Sequence, residues 1–229
     1  MNLFAEWTTP LVADACLRLQ VPVRVATPGI APLAAGMRAA GRARPVRHWG
    51  SVDVFLESML GATPGEVLVI DNGGRTDEGC IGDLTVLEVE ASGLVGVVLW
   101  GLHRDTAELR TIGLPVFSYG RCPMGPTRLD ARAADSFTVA NFGAHRVTAD
   151  DVVFADEDGV IFVPLACGGE VARKAEEIWQ VERKQAGDVA NGRLLREQLR
   201  LADFIAARRE QPALTFREHL RAIRGAIEE

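Results

Sequence analysis

No apolar run in this sequence approaches the roughly 20 residues needed to span a bilayer, and the opening MNLFAEWTTP lacks the basic flank and apolar stretch of a secretory signal. These two absences predict a cytoplasmic protein with no membrane partner. A basic excess is also missing. The net charge is −6, whereas a chain that coats nucleic acid usually carries a positive surplus, so no nucleic-acid partner is expected. Cys16, Cys80, Cys122 and Cys167 lie far apart and form no CxxC pair, which argues against a zinc ribbon or a thioredoxin-like motif and leaves reduced, partly buried thiols. His48, His103, His145 and His219 form no HxxxH or HxH pair, so nothing supports a histidine-built metal centre. Internal repeats and low-complexity segments are absent as well.

The chain's 48% apolar and 24% charged residues over 229 positions suit a soluble globular protein with one substantial core and an appended helical tail. From Glu170 onward there are 12 basic and 11 acidic side chains, so the acidic surplus lies in the first part. Two differently solvated surfaces account for that asymmetry.

Apolar residues at Leu11, Val12, Ala15, Cys16 and Leu19 give an amphipathic helix over Thr8 to Leu19, with Thr8 or Thr9 as cap and Pro10 in its first turn. Prolines and glycines break Val21 to Ala40 into loop and short strand, and Ala39 to Val46 reads as a strand. A helix from Ser51 to Met59 precedes an alternation: strand Glu66 to Ile70, helix Ile81 to Ala91, strand Val95 to Leu99, helix Thr106 to Ile112 and strand Pro115 to Ser118. Such alternation predicts α/β architecture with parallel pairing. Phe137 to Val163 reads mostly as strands, VIFVP (Val160 to Pro164) closes the core, and helices are expected at Val171 to Gln185, Leu194 to Arg209 and Thr215 to Ile227. The domain reading is 1–190 for the α/β part and 191–229 for a helical extension.

Chemistry is expected at the ends of the apolar strands, where parallel α/β sheets bind ligands. After the first strand come the turn DNGG and then Gly82-Asp83-Leu84-Thr85 at a helix start. After the second come Gly101-Leu102-His103-Arg104-Asp105 and another helix. The first turn of a helix offers unpaired N–H groups and the positive end of the dipole, which suits a small carboxylate. Asp83 could equally be a helix cap. Arg104 supplies a planar fork of donors, and Asp105 a hard oxygen for magnesium or manganese. The same dipeptide could be a surface ion pair. One helix plus one strand separates Asp83 from Arg104, and a crossover of that length can return both motifs to one edge of the sheet.

GDL, a 20-residue gap after the Asp, and then RD together resemble the Asp-X20-Arg-Asp signature of the class II pyruvate aldolases. The nearest type is the 4-hydroxy-4-methyl-2-oxoglutarate / 4-carboxy-4-hydroxy-2-oxoadipate aldolase, in a superfamily that also holds the regulator of ribonuclease activity A. VADACLRL, VIDNGG, GLVGVVLWGLHRD, IGLPVFSYG and DDVVFADEDGVIFVP extend the likeness over residues 8–190. The resemblance implies a three-layer α/β swivelling domain with a central β-sheet, here with a C-terminal helical extension, assembled as a homotrimer or hexamer. It implies a divalent cation, Mg2+ or Mn2+, held by Asp105, and Arg104 on the substrate and its developing enolate. It further implies main-chain contacts from Gly82, Asp83, Leu84 and Thr85 to the pyruvyl carboxylate, and a water positioned by Asp83. A glutamate from a neighbouring subunit belongs to the family site, and Glu177, beside Glu176, is the candidate. The implied activity is aldol cleavage of a small 2-oxo acid with release of pyruvate and a side activity on oxaloacetate. A related decarboxylase acting on another substrate and a non-catalytic ribonuclease-binding protein are the alternatives. An old methyltransferase label within the family finds no acidic-x-Gly-x-Gly motif here. His103, Trp100, Cys80 and the missing Pro-Gly in GAHRVTADD depart from the usual pattern; His103 is either a group behind the site or a packed side chain.

Overall fold

A computed structural model describes residues 7–223. In chain order the elements are α1 (Thr9–Leu19), β1 (Arg24–Val25), β2 (Ala31–Pro32), β3 (Ala39–Arg47), α2 (Asp53–Met59), β4 (Val67–Asp71), β5 (Gly79–Ile81), α3 (Asp83–Ala91), β6 (Gly96–Trp100), β7 (Leu102–His103), α4 (Thr106–Ile112) and β8 (Val116–Ser118). Then follow β9 (Ala140–Phe142), β10 (His145–Val147), β11 (Asp151–Asp156), β12 (Gly159–Pro164), α5 (Gly168–Ala190), α6 (Leu195–Gln198), α7 (Leu201–Glu210) and α8 (Phe216–Ile223). The chain divides into two compact units, Met1–Ala172 and Arg173–Glu229.

The first unit is a mixed α/β domain built on a curled eight-stranded sheet in the order β1-β12-β11-β3-β4-β6-β8-β2. Its centre, β3-β4-β6-β8, is parallel; β1, β12, β11 and β2 join antiparallel. The central strands are apolar at consecutive positions because both faces are covered. Leu68, Ile70, Val97 and Leu99 pack on one face with Phe55, Val86, Val89 and Leu109 from α2, α3 and α4. Val67, Val69 and Val98 pack on the other with Ala140, Phe142, Val153 and Phe162, where the β9–β10 hairpin and the antiparallel strands curl over. The expected parallel α/β core is therefore present, and its central strands end at Asp71, Trp100 and Ser118.

Three local expectations are corrected. The helix expected from Ile81 starts at Asp83, because Gly79–Ile81 forms β5 and pairs in parallel with β7, a strand not expected from the sequence. Neither Thr8 nor Thr9 caps α1 through its side chain; the acceptor comes from β11, where Asp156 takes the Thr9 N–H at 2.7 Å and the Thr9 hydroxyl at 2.6 Å. The helix expected over Leu194 to Arg209 is broken into α6 and α7 by Arg200, which is left-handed at φ 49°. In the second unit, α7 and α8 pack through Phe204, Phe216 and His219, with ring centroids 5.0–5.8 Å apart, and His219 Nε2 donates to Leu199 O at 2.9 Å. Positions 224–227 of the last expected helix lie outside the described residues. Among the described residues, no helix is long and apolar enough to cross a membrane.

Candidate active site

The site is positioned by a two-stranded sheet. β5 and β7 run side by side in parallel, Gly79 opposite Leu102 and Ile81 opposite His103, and the Arg104 N–H continues the ladder onto Ile81 O at 2.9 Å. Immediately beyond this ladder both strands turn into helices. Gly82 is the N-cap of α3 and Asp105 the N-cap of α4; their carbonyls accept the first helical bonds from Val86 and Leu109. Two sequence-distant helix starts are thus held next to each other, and with them Asp83, Arg104 and Asp105.

Asp105 adopts a left-handed conformation, φ 57° and ψ 42°, which aspartate tolerates better than most residues. This aims its carboxylate away from its own helix and toward the start of α3. Asp105 Oδ2 lies 3.4 Å from the Asp83 N–H and 3.4 Å from Arg104 Nε. A β-carbon at position 82 would fall 2.1 Å from that oxygen, so the carboxylate keeps this place only beside a glycine. The Arg104 side chain is 47% exposed and that of Asp105 34%, so both can meet a ligand from solvent. Asp83 is half-buried, with Oδ1 accepting the Leu84 N–H at 2.7 Å; Leu84 projects outward and Thr85 is buried. The Asp71 carboxylate at the end of β4 serves the fold: it takes the N–H of Gly73 at 2.9 Å and both the N–H and the side-chain amide of Asn141, at 3.0 and 2.9 Å.

A carboxylate seated in a cradle that only glycine permits, beside a guanidinium, provides hard oxygen chemistry. Among the described residues no group of three or more His, Cys, Asp or Glu side chains comes together as a metal cage. Asp105 as the one protein oxygen on a largely hydrated divalent cation fits this donor set, since magnesium in particular keeps several waters.

Residues 9–162 match the family model described as RraA-like, Aldolase/RraA. The chain belongs to the RraA-like family. A protein named "Putative 4-hydroxy-4-methyl-2-oxoglutarate aldolase" from Aromatoleum aromaticum is 27% identical over 65% of this chain and 92% of its own length. A protein of the same name from Alkalilimnicola ehrlichii is 28% identical over 65% of this chain and 91% of its own. Among solved structures, Streptomyces coelicolor RraAS2, described as an unusual member of the RNase ES inhibitor RraA protein family, superimposes with TM-score 0.70 at 25% identity, over 81% of this chain and 94% of that one.

In this RraA-like chain His103 is a packed side chain. It is 3% exposed, Nδ1 meets Ser118 Oγ at 2.8 Å and Nε2 meets Thr106 Oγ1 at 3.2 Å. Burial, then the nearby Arg121 and Arg110 cations, push its pKa below the ordinary 6.5. Cys80 is buried, and burial, with Glu78 adding to it, raises its thiol pKa well above the ordinary value, so it is inert. Glu177 lies in the second unit, exposed on α5 and ion-paired with Lys174, which lowers its pKa. Sequence reasoning missed a polar group behind the site: buried His48, Asn72 and Glu78 with half-buried Arg128. These positions lie up to 80 residues apart and share no spacing motif; the only available signal was Glu78, an acidic residue immediately before the glycine-rich start of the site.

Proposed function

We propose that this RraA-like protein is a cytoplasmic, divalent-metal-dependent lyase. It cleaves the bond between C3 and C4 of a 4-hydroxy-2-oxo acid and releases pyruvate, with oxaloacetate decarboxylation as a side activity. The observation that carries this reading is the convergence of Asp105 Oδ2, the Arg104 fork and the first turn of α3 on one exposed place. The names of the two aldolase relatives point the same way.

Asp105 would hold Mg2+ or Mn2+, and the cation would supply Lewis acidity toward the 2-oxo carbonyl. Arg104 binds the substrate as a planar fork and stabilises negative charge as it develops on the 2-oxo oxygen. The N–H groups of α3's first turn, from Gly82 to Thr85, hold the pyruvyl carboxylate against the positive helix end. Asp83 positions a water that removes the 4-hydroxyl proton; C3–C4 cleavage then leaves the enolate of pyruvate and a carbonyl co-product, and proton return to C3 gives pyruvate. Glu177 from a second copy completes the site in a homotrimer or hexamer.

The deciding experiment measures pyruvate release from 4-hydroxy-4-methyl-2-oxoglutarate, and from oxaloacetate, with Mg2+ or Mn2+ and again with a chelator. Metal-dependent release that the chelator abolishes is expected. No release from any of a panel of 2-oxo acids sinks the reading. In that case the family likeness of RraAS2 favours a ribonuclease-binding protein, read out as inhibition of a ribonuclease.

A further inference from the structure

The segment after β8, residues 120–130, crosses the outside of the site as a strap. It starts as a third strip beside β7: the His103 N–H donates to Gly120 O at 2.9 Å, and the Cys122 N–H to His103 O at 2.8 Å. It then crosses β5, where the Gly79 N–H donates to Met124 O at 2.7 Å, and ends with the Asp130 N–H on Trp49 O at 2.8 Å. Its main side-chain anchor is the half-buried Arg128. Nη2 donates to Glu78 Oε1 at 2.9 Å and to Asn72 Oδ1 at 2.8 Å, and Nε lies 3.2 Å from both Glu78 oxygens.

Two features argue that this anchor serves geometry. Glu78 immediately precedes β5, the strand that delivers Gly82 and Asp83, so one buried carboxylate ties the strap to the floor of the site. The Asn72 Nδ2 donor is buried without a partner, a cost that a network optimised for stability would shed. Between the anchors the strap touches Arg104. A β-carbon at position 125 would lie 2.9 Å from Arg104 Nη1, and one at position 79 would lie 3.0 Å from Arg104 Cβ. Asp105 Oδ2 stands on the guanidinium's other side, at Nε. An exposed arginine otherwise samples many rotamers.

We propose that the strap, locked by Arg128 on Glu78, is a positioning device that aims the Arg104 fork, and that Gly125 is the point of contact. Arg128, Glu78 and Gly125 are positioning residues. The proposal rests on the reading of Arg104 as the substrate fork. Orientation errors of about an ångström cost up to about 10²-fold in rate.

Gly125→Ala is the cleanest test, because Gly125 is not left-handed and the added methyl meets only Arg104. It should leave the melting temperature unchanged and lower kcat/KM about tenfold or more. In an Arg104→Ala background, the same substitution should change nothing further. Arg128→Lys, which keeps the charge and loses the fork, should mobilise Arg104 Nε–H in NMR relaxation. Wild-type kcat/KM in Gly125→Ala overturns the proposal when the parent is active. If the parent releases no pyruvate, the functional reading fails separately. The relaxation measurement then decides the strap: Arg104 ordered in the parent and mobile in Arg128→Lys supports it, and Arg104 equally mobile in both overturns it.

Discussion

At the scale of single residues the constraint that bears on the site lies at Gly82, where an alanine β-carbon would fall 2.1 Å from Asp105 Oδ2. The glycine backbone there is extended, φ −137°, and open to any residue, so Gly82→Ala should fold normally and act only by displacing the carboxylate. Loss of one preorganised charge contact costs about 3 kcal/mol of barrier, about 10²-fold in rate. Gly82→Ala, Arg104→Ala and Asp105→Ala should each lose about that much turnover in steady-state kinetics, with Gly82→Ala retaining the parent melting temperature. Full activity in Gly82→Ala would show that the Asp105 oxygen does not need its present place. The sequence shows that Asp83, Arg104 and Asp105 lie one crossover apart. It does not show that Gly82 is the empty volume holding the third against the first, because a close approach between distant residues leaves no local pattern.

At the scale of elements, segments with a marked apolar pattern were legible and the shortest strands were not. α1 was foreseen from its apolar stripe, and β4 and β6 as short continuous apolar runs buried on both faces. β5 and β7 have three and two residues, too few for any period, and they exist because neighbouring backbones pair. The beginning of α1 makes the same point energetically. The acceptor for the Thr9 N–H and hydroxyl is Asp156, 147 residues away, where a local side-chain cap was expected. A hydrogen bond to a buried charged acceptor contributes about 1.5–3 kcal/mol, so Thr9→Val should lower unfolding stability by that amount. Urea denaturation should show the midpoint falling with an unchanged slope. A midpoint equal to the parent's would mean that the main-chain bond alone anchors the helix.

At the scale of the whole molecule, folding keeps two histidines neutral, and this ties stability to pH. His48 is 5% exposed; burial is the main cause that lowers its pKa from the ordinary 6.5, and the Arg128 cation adds to it. Arg128 Nη2 and His48 Nδ1 both approach Asn72 Oδ1 at 2.8 Å, so that oxygen is the acceptor and Nδ1 carries the proton; this bond opposes the lowering, and burial outweighs it. His103 is lowered in the same direction. Below pH 6.5 the unfolded chain takes up protons on both residues while the folded chain does not, so the unfolded state gains. Each group contributes at most about 1.4 kcal/mol per pH unit within its window. Their shared contribution is therefore complete above 6.5 and is lost as the pH falls below it, before ordinary carboxylates titrate near 4. Melting temperatures at matched ionic strength should fall between pH 7.5 and 5.5, and His103→Gln should fall less over the same interval. His103 lies against Thr106 and Ser118, next to the arginine on which catalysis is proposed to depend. The destabilisation should therefore reach the active site with the rest of the domain, and an acid loss of activity that follows the melting curve would reflect unfolding. A His103→Gln protein as acid-sensitive as its parent would show that the proton is taken up elsewhere.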